Sequence, residues 1–223
     1  MTHGWNWWLK TDSGLLARIC IGVCIFAAWA VSDLLRRGRA ATRWREYLFL
    51  LAAVAAGLAY GLFNDWIASG ISWEFFYYGK GLESQLGPHV PPDAAALRWE
   101  AIKIGLKATW SAGLIVGVAL LIANNPRPGR PQLSYRRLLL HLPVIGIAAV
   151  IGAAIGGLAG SRGFLTWTSS DLRDMAREDL FRPVRFMCVY GMNVGAYAGG
   201  LIATFVAVVS IVRLRRRLAA LVT

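Results

Sequence analysis

Two acids nine positions apart, Asp65 and Glu74, lie in the stretch GLFNDWIASGISWEFFYYGK (residues 61–80), with Asn64 beside the first and six aromatic residues between Trp66 and Tyr78. Carboxylates so paired can act as acid and base, bind a cation or proton, or share a metal ion. A shared metal needs both sets of oxygens at about 2–2.6 Å. In an unbroken helix nine residues turn the second acid about 180° away from the first, so the two meet only if the helix breaks, and Gly70 offers a place for that. Lys103 and Lys107 share a helix face, and Arg162 and Arg185 flank a later connection; any of these cations can neutralise an acid. Asn193, Tyr190 and Tyr197 in the last apolar segment read as interhelical hydrogen-bonding groups. Asp65, Glu74, Asn64, Lys107 and Asn193 therefore form the candidate polar site. Against it stands a structural role, in which the acids are the polar end of a span and the aromatics an interfacial belt.

Other chemistry has no signature. The chain contains no HExxH, GxSxG, P-loop or CxxC, and no GxGxxG with a following acid, so no catalytic or metal-binding residue is assigned and no cofactor is expected. His141 is the one histidine inside an apolar segment, whereas a bis-histidine haem needs two opposed ones. Cys20, Cys24 and Cys188 read as small apolar residues.

The elements that must position these groups follow from composition. With 57% hydrophobic residues, 16% charged residues and a mean hydropathy of +0.49 over 223 residues, the chain is too apolar for an ordinary soluble domain. A bilayer core takes about 20 apolar residues per helix. Windows of that kind fall at 15–35, 47–69, 104–124, 138–160 and 186–212. Unsatisfied backbone groups are costly in hydrocarbon, so each is expected to be helical. The expected fold is all-α and integral to the membrane: a single five-helix domain over 15–223, preceded by a tryptophan-bearing interfacial segment at 1–14.

The net charge of +12 suggests nucleic acid at first, but its distribution points to a membrane. Arg36, Arg37, Arg39, Arg43 and Arg45 follow the first window, Arg127, Arg130, Arg136 and Arg137 the third, and Arg213, Arg215, Arg216 and Arg217 the fifth. With five spans these 13 basic residues share one side with only Asp33 and Glu46, a balance of +11; the other 11 basic and 10 acidic residues leave the opposite side at +1. The positive-inside rule then places the N-terminus outside and the C-terminus in the cytoplasm, with Asp65 and Glu74 at the outer face of a bacterial inner membrane. No nucleic-acid partner is expected.

On the outer side, Pro92 and Asp93 signal a helix start that runs on into the third span. In the connection 161–185, Asp171, Asp174, Leu172, Met175, Leu180 and Phe181 suit an interfacial amphipathic helix, ended by Pro183. Glycines recur at spacing four: Gly57 and Gly61; Gly113 and Gly117; Gly152, Gly156 and Gly160; Gly191, Gly195 and Gly199. Such stripes let helix backbones approach closely.

The FNDWIASGISWEFF stretch together with FMCVYGMNVGAY, residues 186–197, resembles an uncharacterised group of bacterial polytopic membrane proteins. In that group a His-Asp pair ends one span, a Glu-aromatic-Phe motif follows, and a histidine-containing motif ending in Tyr opens the last span. The resemblance covers about a quarter of the chain and implies that Asp65 and Glu74 match the group's acids, while Asn64 and Asn193 stand where histidines are expected. It implies a location for the site rather than an activity. The leading expectation is a non-catalytic accessory or scaffold subunit, packed against other membrane subunits or itself within the lipid bilayer. The alternatives are a small transporter or channel using Asp65 and Glu74, and a membrane enzyme using them as acid and base or as metal ligands.

Overall fold

Asp93 shows how local chemistry sets an element. Its Oδ1 accepts from the Ala96 backbone N–H at 2.7 Å, which satisfies one of the orphan donors of a helix start. From that cap helix α4, Ala94–Ala123, runs unbroken. The computed structural model describes residues 12–38, 41–165 and 182–221. In chain order the elements are α1 (Asp12–Arg37), α2 (Trp44–Ile71), a π-helical turn (Phe75–Gly79), α3 (Glu83–Leu86), α4, α5 (Tyr135–Leu139), α6 (His141–Ser161) and α7 (Pro183–Ala220). The short α5 leads directly into α6. Pro143 lacks the N–H that would bond to the Leu139 carbonyl, and the chain turns at Leu140 between the two helices. Pro183 occupies the first turn of α7, where its missing N–H costs nothing.

Five helical stretches are long and apolar enough to cross a membrane, with α5 and α6 forming one of them. The chain is thus all-helical among its described residues. The expected amphipathic helix at 161–185 falls largely on residues 166–181, and the interfacial segment largely on 1–11; both lie outside the described residues.

Two helix pairs dominate the packing: α2 lies against α4, and α6 against α7, with sparse contact between the pairs. Both pairs are closed by glycine. A Cβ added to Gly57 would meet the Thr109 carbonyl oxygen at 2.6 Å, and one on Gly61 would overlap Thr109 Oγ1. In the second pair Gly152 faces Gly195, Gly156 faces Gly191, and Gly199 faces the Ala148 carbonyl, each too close for any side chain. Helix α1 is attached more lightly. Phe26 and Trp29 pack on Tyr47 of α2, with ring centroids 5.7 and 6.0 Å away, and Asp33 accepts from the Arg43 N–H and pairs with Arg37.

One end of the bundle collects the basic segments. Tyr135 donates to Glu46 at 3.2 Å, tying the start of α5 to that of α2. Arg215 of α7 is 4% exposed, and its guanidinium donates to the carbonyls of Ala123, Asn125, Arg130 and Pro131. It thereby caps the negative end of α4. Asn124, fully buried, exchanges two hydrogen bonds with the Leu133 backbone and closes the same loop.

Candidate functional site

At the opposite end, α2 stops at Ile71 and the chain turns at Ser72, two residues beyond the glycine where the sequence suggests a break. Ser72 Oγ accepts from the Phe75 N–H at 3.2 Å and donates to Glu74 Oε2 at 3.0 Å. The π-helical turn then folds over the bundle end, so that Phe75, Phe76 and Tyr77 are buried with Leu97, Ala101, Phe186 and Val189. Tyr77 donates to the Gly87 carbonyl at 2.5 Å. Phe75, Phe76 and Tyr77 therefore form a capping core instead of the expected interfacial belt, while Trp66 stays 48% exposed. Aromatic composition suits both equally; the turn after Ser72 decides between them.

Glu74 goes into that core. It is fully buried, and its Oε1 has no hydrogen-bond partner. Asp65 lies elsewhere, still within α2, on the side facing α4. It is buried, with Oδ2 close to Gly105, and its Oδ1 accepts from Asn64 Nδ2 at 2.8 Å. Tyr60 donates to Asn64 Oδ1 at 3.3 Å, which makes a short relay from Tyr60 through Asn64 to Asp65.

The relay opens on a cavity of about 280 Å³ between the two helix pairs. Tyr60, Asn64, Asp65, Lys80, Asn193 and Tyr197 line one part of it. Below them the walls are Ala53, Ala56 and Gly57 of α2, Ala108, Ala112 and Val116 of α4, and Ile145, Ala149, Ala196 and Leu201 of the second pair. Thr109 and Thr204 also line it, but their hydroxyls donate to Gly105 and Gly200 of their own helices, so the middle of the cavity stays effectively apolar. From Ala53 to Asp65 the slot spans about 18 Å of helix rise.

Of the candidate residues, the structure brings Asn64, Asp65 and Asn193 to this one cavity, and leaves Glu74 and Lys107 off its walls. Asp65 lines the cavity, whereas Glu74 is fully buried off its walls and bonded to Ser72. The Asn193 amide donates to the Val189 carbonyl of its own helix at 3.0 Å, not across to a neighbour. Lys103 pairs with Glu100 at 2.6 Å. Among the described residues, no group of three or more His, Cys, Asp or Glu side chains could hold a metal ion.

Sequence reasoning missed two members. Tyr60 lies one turn before Asn64, a spacing that could have marked it as a partner. Lys80 comes from the loop behind the π-helical turn, with its Nζ 5.3 Å from the Phe75 ring centroid; no pattern along the chain places it over α2. Comparison with family models, curated proteins and solved structures finds no match for this chain.

Proposed function

We propose that the chain is a small transporter of the bacterial inner membrane, with its N-terminus outside and its C-terminus in the cytoplasm, that takes up a ligand between its two helix pairs against Asp65. The observation that carries this reading is the cavity itself: a buried carboxyl with a hydrogen-bond relay at one end of a slot within the membrane-spanning helices. An ionisable group inside a span is costly and marks a working site by default. The glycine contacts support it as well. They lock each pair as a unit and leave the seam between the pairs sparsely packed, an arrangement in which one rigid bundle can rock against the other. The orientation rests on the clustered arginines.

The test is reconstitution of the purified protein into vesicles, followed by assays of proton entry, monovalent-cation entry and movement of a fluorescent lipid between leaflets. The reading expects one activity that both Asp65→Asn and Ala112→Phe abolish. Absence of all three, or activity that survives in both variants, removes it.

A second reading, the accessory or scaffold subunit, is favoured by α1. Trp29, Val31, Leu34 and Leu35 are exposed along it, and lipid or another subunit must cover them. Mild extraction from native membranes distinguishes the two: a stoichiometric complex with larger membrane proteins supports the subunit, a lone chain or homo-oligomer the transporter.

A further inference from the structure

We infer that the ligand of the cavity is a single-chain amphiphile drawn from the bilayer, with an uncharged head that donates hydrogen bonds; this rests on the binding-cavity reading above.

Three observations define the ligand. First, the slot is polar at one end only: about 18 Å of helix rise separates Asp65 from Ala53, and alanines, glycines, Val116 and Ile145 make up most of the wall between. A hydrated ion would find only the Thr109 and Thr204 hydroxyl oxygens along that length, whereas a hydrocarbon chain finds apolar contact over most of it. An apolar cavity of about 150 Å³ already holds a benzene-sized molecule, so about 280 Å³ accepts a head and a stretch of chain.

Second, the slot reaches the lipid sideways. Ile115 and Leu201 belong to its lining, yet they are 68% and 73% exposed. An amphiphile can therefore enter from the membrane without passing through water.

Third, the inner polar groups present acceptors. Asp65 Oδ2 has no donor among the described residues, the nitrogen of Asn193 is engaged with Val189, leaving Oδ1, and Tyr60 spends its proton on Asn64. Tyr197 and Lys80 line the same end with groups that donate, so the head must both donate and accept. Lys80 lines the same cavity and opposes an ammonium head, while Asp65 opposes a carboxylate or phosphate. Hydroxyl groups on an uncharged head meet both conditions, as in a monoacylglycerol.

The full-length protein in lipid nanodiscs is photolabelled with a monoacylglycerol carrying a diazirine near the end of its chain, and the labelled residues are identified by peptide mass spectrometry. Labelling is expected within 108–116 and 145–149, reduced at least tenfold by excess unlabelled monoacylglycerol. Ala112→Phe or Ala149→Leu, which fill the slot from opposite walls, are each expected to remove the competed fraction while leaving labelling at the exposed Ile122 unchanged. Uncompeted labelling spread evenly over the exposed Val118, Ile122 and Phe205 overturns the inference. So does competition by an alkylammonium or a fatty acid and not by the monoacylglycerol. Slot labelling with none of the three vesicle activities keeps this inference and removes transport; Asp65-dependent cation entry without slot labelling does the reverse.

Discussion

Gly105 lies against Asp65: a Cβ at position 105 would stand 2.9 Å from Asp65 Oδ2 and 2.5 Å from the Gly61 carbonyl oxygen. The missing side chain does two jobs at once, letting α2 and α4 touch and leaving room for the carboxyl. Gly105→Ala is therefore expected to lower stability by about 1–3 kcal/mol through overpacking, and to displace Asp65. Gly146→Ala, where the added Cβ meets nothing within 4 Å, is the control and should leave Tm unchanged. Thermal unfolding in detergent compares the two; equal Tm values would show that the α2–α4 contact tolerates a side chain.

The Arg215 clamp holds a loop by its backbone. Four carbonyls accept from one guanidinium, and lysine, a point charge with no planar fork, cannot replace it. Arg215→Lys should destabilise the basic end by about 2 kcal/mol, as buried acceptors lose their donors. Faster amide hydrogen exchange at Arg127, Gly129, Arg130 and Gln132 in the folded protein is the expected readout. Exchange at the wild-type rate would mean that the Asn124–Leu133 bonds suffice.

Glu74 contributes one hydrogen bond and one orphaned oxygen to an aromatic core. Replacing such a group with an apolar side chain of similar volume is often neutral or stabilising. Glu74→Met is expected to keep or raise Tm, whereas Ser72→Ala, which strips the Phe75 N–H of its acceptor, is expected to lower it by about 1 kcal/mol. A large loss of stability in Glu74→Met would reveal a partner for the carboxyl outside the described residues.

Orientation can be read by chemical accessibility. With Cys20, Cys24 and Cys188 replaced by serine, the exposed Glu83→Cys at the end opposite the arginine clusters should react with an impermeant maleimide added to spheroplasts. Arg136→Cys at the basic end should react only after permeabilisation. The reverse pattern would invert the topology.

What could be read along the chain were features whose signal lies within one segment. Twenty-residue apolar windows, the Asp93 cap and the glycine stripes are of this kind: each needs only neighbours three or four positions away. Arg215 shows the limit. It stands among Arg213, Arg216 and Arg217 with nothing in residue type to distinguish it, and only the position of α4's end makes it the buried one. The cavity is a still stronger case. Its polar wall joins Tyr60, Lys80 and Tyr197 from three elements, and the separation of Asp65 from Glu74 depends on where α2 stops. Both are consequences of tertiary packing, which local periodicity does not encode.

The division into two glycine-sealed pairs also has a biosynthetic consequence. Asp65 and its α4 neighbour Gly105 belong to the first pair, while Asn193, the first cavity-lining residue of α7, is translated 128 positions after Asp65. At about 5–20 residues per second, the half-built protein spends roughly 6–26 s with the cavity side of that carboxyl uncovered by the second pair. The nascent chain must shelter that group against the translocation machinery, or keep it protonated, until the second pair arrives.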